Sequence, residues 1–134
     1  MTLKRLCIGL LILVIILSLC FCSKTRVNAN EAVTLFFIYE EENVSVTLTN
    51  DESAKVIDIL DGNTYDPTIL IGYPSCGFHE NVALKVGSRR FAIASDACNC
   101  VLDLGKNLYF DIPQEDIEYI HSLFEKYGGY FPCI

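Results

Sequence analysis

Four cysteines and one histidine in the second half of the chain are the residues best suited to chemistry. They are Cys76, His79, Cys98, Cys100 and Cys133. Thiolates and imidazoles are ligands that zinc prefers, so the first four of these residues form a candidate metal set. However, the Cys-x-x-His and Cys-x-Cys spacings are not those of a zinc finger, and the Cys-x-x-Cys pair of thioredoxin-like redox sites does not occur. An even number of thiols equally allows two disulfide bonds.

The start of the chain helps to decide between these interpretations, because it is typical of an export segment. Lys4 and Arg5 precede an apolar run over residues 6–22, and residues 27–29 match a cleavage site before Asn30. The run of 17 residues is also at the lower limit of length for an uncleaved membrane anchor. In both cases the rest of the chain is expected outside the membrane, where thiols persist as disulfides.

Strand geometry limits how the four cysteines can pair. In an extended Cys98-Asn99-Cys100 segment the two side chains leave the same face about 6.6 Å apart, because each residue advances ~3.3 Å. A disulfide prefers Cβ atoms at ~4 Å, so we expect each of the two to bond elsewhere. The pairs Cys98 with Cys133 and Cys76 with Cys100 are slightly favoured over the exchanged pairs. Closing the loop from 98 to 133 would stabilise the fold by roughly 3–4 kcal/mol.

A catalytic thiol is the competing interpretation. His79 beside Glu80, and Asp96 two residues before Cys98, could form a cysteine-histidine-aspartate set. The sequence alone does not bring these residues together, and a loop histidine near a turn is more often solvated or hydrogen-bonded. We therefore predict no catalytic residue, no metal ligand and no cofactor, and treat the four cysteines as disulfide candidates.

Charge argues against two classes of partner. All 17 acidic residues follow Ala29, against six basic residues, so this part of the chain carries a formal net charge of −11. Nucleic acids and anionic membrane surfaces would repel it. We expect an unknown protein or small-molecule partner outside the cell membrane, no nucleic acid, and membrane contact only through the N-terminal segment if it stays uncleaved. Arg89 and Arg90 form the only basic pair after Ala29, at a predicted hairpin tip.

Alternating apolar residues predict an antiparallel sheet built from hairpins. Strands are expected over 33–39 and 44–48, with a turn between them. Two further hairpins are expected over 82–93 and 100–112. Residues 64–79 have no clean period and are predicted to be a loop with a short extended piece at 69–73.

Helix signals complete the predicted fold. Thr49 and Glu52 have the spacing of a capping box, which opens a helix through Leu60 with Ala54, Ile57 and Leu60 toward the core. Proline and acidic residues at 113–116 suit the first turn of a second helix, which ends at Gly128-Gly129. Its apolar residues follow helical spacing at Ile117, Ile120, Phe124 and Tyr127. We predict residues 1–29 as a signal peptide or N-terminal membrane anchor. Residues 30–134 are predicted as a single small α+β domain, disulfide-stapled, with two helices on one face of the sheet.

Three short motifs resemble those of an uncharacterised family of small exported bacterial proteins. They are PSCGF at 74–78, DAC at 96–98 and YGGYFPCI at 127–134. The resemblance covers most of residues 30–134 and implies that Cys76, Cys98 and Cys133 are matching positions. Cys100 departs from it, which implies that the two-disulfide scheme does not hold and that one thiol is free. The resemblance also implies a bacterial cell-envelope location, either secreted or membrane-anchored and facing outside.

These observations favour a non-enzymatic binding or interaction module that is stabilised by disulfides. The alternative is a metal-binding or thiol-redox protein that uses Cys76, His79 and Cys98. The two hypotheses differ in a measurable way, because the first leaves at most one thiol free and the second leaves several thiols or a bound metal.

Overall fold

Two strands, a helix, four strands and a second helix follow one another in a computed structural model, which describes residues 23–66, 77–94 and 98–128. In chain order the elements of these ranges are β1 (Val33–Tyr39), β2 (Glu42–Thr47), α1 (Asn50–Leu60), β3 (Ala83–Val86), β4 (Arg89–Ile93), β5 (Cys100–Asp103), β6 (Leu108–Asp111) and α2 (Gln114–Gly128). The predicted α+β class is confirmed. The extended piece predicted over 69–73 lies outside the described residues.

All six strands join one antiparallel sheet in the order β2-β1-β3-β4-β5-β6. Short turns link β1 to β2, β3 to β4 and β5 to β6, as the predicted hairpins require. After β2 the chain passes through α1 and returns on the far side of β1 as β3, with Leu84 beside Leu35. This crossover puts β1 inside the sheet and leaves β2 at its edge.

One face of the sheet carries the main core. Alternate residues of β1, Val33, Leu35 and Phe37, are buried there, because successive side chains of a strand point to opposite faces. Both helices contribute to the same cluster, α1 through residues such as Val56 and α2 through residues such as Phe124. The prediction that the helices share one face is therefore confirmed.

The opposite face has a smaller apolar cluster. Its buried members are Ala92, Cys100, Leu102 and Tyr109. Phe78, which precedes β3, packs on this cluster with its ring centroid 5.5 Å from that of Tyr109. The sheet is thus partly covered on both sides at its β5–β6 end.

Helix α1 begins with the predicted capping box. The hydroxyl of Thr49 accepts a hydrogen bond from the backbone N–H of Glu52 at 3.3 Å, and the Glu52 carboxylate accepts from the backbone N–H of Thr49 at 3.0 Å. The predicted buried face is shifted, however. Ala54 is exposed, whereas Ser53 and Val56 are buried. The buried face of α1 is therefore rotated by one residue from the predicted face, and it still includes Ile57.

Helix α2 follows its predicted pattern closely. Ile117, Ile120 and Phe124 are buried, as their helical spacing predicts. The Phe124 ring meets that of Phe37 edge-on at 6.3 Å between centroids. Within the described ranges, no helix is long and apolar enough to cross a membrane.

Residues before the predicted domain boundary at Asn30 are part of the fold. Lys24 forms an isolated β-bridge with Thr64. Thr25 is fully buried and exchanges backbone hydrogen bonds with the segment that follows α1, donating to the Asn63 carbonyl at 2.8 Å. The described fold therefore extends at least seven residues upstream of Asn30, to Ser23.

Candidate functional site

Cys98 and Cys100 differ in chemical state. Cys98 is disulfide-bonded, whereas Cys100 is a buried free thiol, so the two are not bonded to each other. The slightly favoured bond between Cys76 and Cys100 is therefore not formed. Cys76 and Cys133 lie outside the described residues, so the partner of Cys98 stays a prediction.

Cys100 is poorly suited to thiol chemistry. Burial raises the pKa of its thiol to about 12, and the negative charges of Asp111 and Asp66 act in the same direction. The thiolate is the form that attacks disulfides and binds metals. A thiol with this pKa is protonated at neutral pH and is a weak nucleophile there.

The histidine of the predicted metal and catalytic sets has a structural role. His79 accepts a hydrogen bond at Nδ1 from the backbone N–H of Asn81, at 3.1 Å. Its carbonyl accepts from the N–H of Val82 at 2.9 Å, so His79 shapes the turn that leads into β3. Asp96 and Cys76, the other members of these sets, lie outside the described residues. In the ranges that the structure describes, no three His, Cys, Asp or Glu side chains are grouped to hold a metal ion.

A buried carboxylate on β5 is a feature that the sequence did not predict. Asp103 has an exposed fraction of 1 % on the core face of the sheet. Its Oδ2 accepts from the Tyr65 hydroxyl at 2.6 Å and pairs with the Arg89 guanidinium at 2.5 Å. Its Oδ1 accepts from the backbone N–H groups of Gly105 at 3.0 Å and Lys106 at 3.3 Å. Both oxygens are therefore saturated by donors.

This cluster of Asp103, Arg89 and Tyr65 fastens three distant parts of the chain together. Burial alone would raise the pKa of Asp103, but the hydrogen bonds from Tyr65 and Arg89 outweigh it and lower the pKa. Arg89 also donates to the backbone carbonyl of Arg26, which ties the N-terminal segment to the sheet. Arg89 lies at the hairpin tip, as predicted, directly after the turn between β3 and β4, and it also cross-links the fold. The sequence feature that could have indicated this cluster is a charged residue, Asp103, at the end of an otherwise apolar strand.

A second polar cluster joins the two helices. The Glu52 carboxylate pairs with Lys126 at 2.6 Å and accepts from the Tyr127 hydroxyl at 2.7 Å. Partial burial opposes ionisation, but the hydrogen bonds from Lys126, Tyr127 and Thr49 outweigh it and lower the pKa of Glu52 to about 2. The capping carboxylate of α1 therefore also holds the end of α2. Like the Asp103 cluster, it is fully used in structural contacts.

The turn between β1 and β2 is strained and acidic. Its two central residues are Glu40 and Glu41, with φ of 48° and 70°. Such a type I′ turn normally takes Asn-Gly, because side chains with a Cβ crowd the backbone at positive φ. Glu42 follows, so three exposed carboxylates stand at this tip of the sheet. Strain of this kind is often kept where a function needs it.

The same turn fixes which backbone groups of β2 point outward. A two-residue turn makes its flanking residues a hydrogen-bonded pair, and such pairs then alternate with non-bonded pairs along the hairpin. The hydrogen bond from Leu48 N–H to the Val33 carbonyl, at 2.9 Å, agrees with this alternation. The N–H and C=O groups of Asn43, Ser45 and Thr47 therefore point away from β1. Among the described strands, β1 alone pairs with β2, so these groups form an open edge.

A shallow apolar recess lies beside this open edge. It has a volume of about 210 Å³ and is lined by Phe37, Tyr39, Val44, Tyr127 and Gly128. Tyr39 has an exposed fraction of 47 %, and it is the one large apolar side chain that the described residues expose to this degree. Open backbone groups, a recess and three carboxylates thus occupy one corner of the molecule.

The sequence predicted the hairpin but not this combination. The edge position of β2 depends on β3 pairing with β1, and no local sequence pattern predicts that pairing. Comparisons with models of protein families, with curated proteins and with solved structures found no match to this chain.

Proposed function

We propose that this protein is an exported, non-enzymatic binding module that captures an extended segment of a partner protein at the outer edge of β2. The observation that carries the proposal is the open row of backbone groups at Asn43, Ser45 and Thr47. An extended peptide that adds a strand to such an edge gains main-chain hydrogen bonds, and nearby recesses select its side chains.

The surroundings of the edge favour a cationic segment. Glu40, Glu41 and Glu42 stand at one end of β2, and a peptide along β2 would pass within reach of their carboxylates. An apolar side chain of the same peptide would enter the recess between Tyr39 and Tyr127. Alternating basic and apolar residues therefore match the site.

Charge disfavours a second copy of this chain as the occupant. The chain has a formal net charge of −7, so two copies repel each other. Parallel pairing of β2 with its own copy would also set the Glu40, Glu41 and Glu42 carboxylates of the two copies side by side. Like charges across an interface suppress such partners.

Export and disulfide stapling complete the proposal. The apolar run over residues 6–22 supports export, and the resemblance supports a bacterial cell-envelope location, secreted or membrane-anchored facing outside. Since Cys100 is free and Cys98 is bonded, we propose the Cys98–Cys133 bond. It would fasten the chain beyond α2 to the start of β5. Mapping disulfide-linked peptides without reductant tests it, and a Cys98–Cys76 peptide would contradict it.

Binding is best tested with a peptide that carries its own fluorophore. The protein has no tryptophan, so a Trp-labelled peptide of alternating lysine and valine reports binding without background. We expect it to bind at least about tenfold more tightly than the same peptide with glutamate in place of lysine, because like charges repel. Equal binding of the two peptides, or none, would contradict the proposed charge selection.

Substitutions at Ser45 test whether the edge is the site. Ser45→Pro removes the outward N–H, while the hairpin bonds to β1 are made by the neighbouring residues. We expect this variant to bind the lysine peptide at least about tenfold more weakly, since it loses a main-chain bond and the flat edge. Ser45→Ala keeps the N–H and serves as the matched control. If both variants bind as the unaltered protein does, the peptide does not use this edge.

A further inference from the structure

The stretch Ser23–Val27 makes several long-range hydrogen bonds to the rest of the domain, which is not expected of a leader that is removed after export. The hydroxyl of Thr25 donates to the Leu60 carbonyl at 2.6 Å and accepts from the backbone N–H of Asn63 at 2.8 Å. The carbonyl of Thr25 accepts from the N–H of Gly62 at 3.0 Å. Thr25 thus satisfies backbone groups at the C-terminal end of α1, where a helix leaves carbonyls without internal partners.

Neighbouring residues extend these contacts on both sides. The carbonyl of Ser23 accepts from the N–H of Tyr65 at 3.2 Å, and the N–H of Val27 donates to the Asp61 carboxylate at 2.8 Å. The side chain of Val27 packs against the main core. Arg26 offers its carbonyl to Arg89, the partner of buried Asp103. The stretch is therefore built into the fold by both backbone and side chains.

We propose that Ser23–Val27 is a permanent element of the folded domain and that the exported chain is not cut after Ala29. A cut there would sever the element from the domain and leave the Leu60 carbonyl and the Asn63 N–H without their partners. The bond between Ala29 and Asn30 also lies in a turn, in which the Asn28 side chain accepts from the Asn30 N–H at 3.2 Å. Any processing site therefore lies at or before Ser23.

The inference concerns processing and is independent of which peptide the β2 edge binds. Its export context rests on the proposed function, and cell fractionation tests export separately from the position of a cut. The first experiment is the intact mass of the full chain after expression in a bacterial host. The expected N-terminus is at Ser23 or upstream of it. A product that begins at Asn30 would overturn the inference.

A second experiment tests the structural part on the full chain. A recognition sequence for a specific protease is inserted between Ala29 and Asn30, because insertions at exposed turns are tolerated. Cutting the purified protein should lower its Tm by at least about 10 °C relative to the uncut insertion variant, since several buried hydrogen bonds are lost at once. An unchanged Tm after the cut and removal of the fragment would show that the stretch is dispensable.

Substitution of one residue gives the same test without cutting. Thr25→Val keeps the shape of the side chain but removes the hydroxyl that serves Leu60 and Asn63, whereas Thr25→Ser keeps it. The inference requires Thr25→Val to lower the Tm by about 4–8 °C more than Thr25→Ser does. Equal Tm values for the two variants would refute the role of the hydroxyl in holding this stretch.

Discussion

Replacing Asp103 with asparagine should be among the most destabilising isosteric changes in this domain. Four donors converge on the carboxylate, two on each oxygen. An asparagine has one acceptor oxygen, so its amide nitrogen must face either the Tyr65–Arg89 pair or the two N–H groups of the following turn. In either orientation the amide NH2 group faces two groups that had donated to the carboxylate, and it cannot accept from them. The change also leaves the Arg89 guanidinium without its counter-charge.

The expected cost follows from these losses. Breaking a buried ion pair by removing one partner costs about 3–5 kcal/mol, and typical domains have only about 5–15 kcal/mol of total stability. Equilibrium unfolding in urea, followed by far-UV circular dichroism, measures the difference directly. Tyr65→Phe, which removes one donor to the carboxylate and leaves the charge pair, should cost about 1–2 kcal/mol. It remains measurable if Asp103→Asn does not fold.

The pH dependence of the free energy of unfolding separates the effect of the Asp103 charge from the effect of its side-chain shape. Because the pKa of Asp103 is lowered in the folded state, its ionisation stabilises the fold above the usual carboxyl pKa of 3.8. This stability is lost as the pH falls through the lower folded-state pKa. The difference in free energy of unfolding between the native chain and Asp103→Asn should therefore shrink below pH 3.8. A cost under about 1 kcal/mol at pH 7, or a cost that does not change with pH, would refute this reasoning.

Three further changes test other parts of the structure. Glu52→Gln should lower the free energy of unfolding by about 1 kcal/mol at pH 7. In urea titrations this difference should disappear as the pH falls from 4.5 through about 2, because the pKa of Glu52 is lowered to that value in the folded state. Replacing Glu40 and Glu41 with Asn-Gly should raise the Tm by relieving about 1–2 kcal/mol of strain, and should weaken binding of the lysine peptide; unchanged binding would remove the tip from the site. In the native protein Cys100 should resist iodoacetamide at pH 8 and react only after unfolding, because burial raises the pKa of its thiol to about 12; peptide mapping that finds it alkylated before unfolding would contradict this.

Local signals in the sequence predicted the elements well, because each depends on neighbouring residues alone. The capping box at Thr49 and Glu52 and the alternation through β3 and β4 are of this kind. The exposed position of Ala54 was missed because a three-residue spacing of apolar positions left the rotation of a short helix uncertain by one residue. Val56, which is fully buried, marks the correct stripe.

Contacts between distant segments were not predictable from those signals. β1 pairs with β3 some 50 residues later, so the edge position of β2 follows from a pairing with no local pattern. Arg89, Asp103 and Tyr65 come from separate elements, and nothing in their spacing marks them as one cluster. The sequence predicts that residues 23–27 belong to a leader, because they follow the apolar run over residues 6–22. Their hydrogen bonds to the segment after α1 depend on the folded chain, and no sequence pattern predicts them.

The open edge of β2 and the three glutamates at the turn before it can be understood together. A flat edge strand without lysine or proline is prone to pair with copies of itself, and natural proteins usually protect such edges. β2 contains neither residue, but it begins at Glu42, directly after the strained pair Glu40-Glu41. Three carboxylates at the end of the strand repel an equally acidic copy while attracting a cationic segment. Asn-Gly at the turn would give a more relaxed hairpin and an unprotected edge. The cost in strain at this turn is therefore consistent with an edge that must stay open for one kind of partner and closed to its own copies.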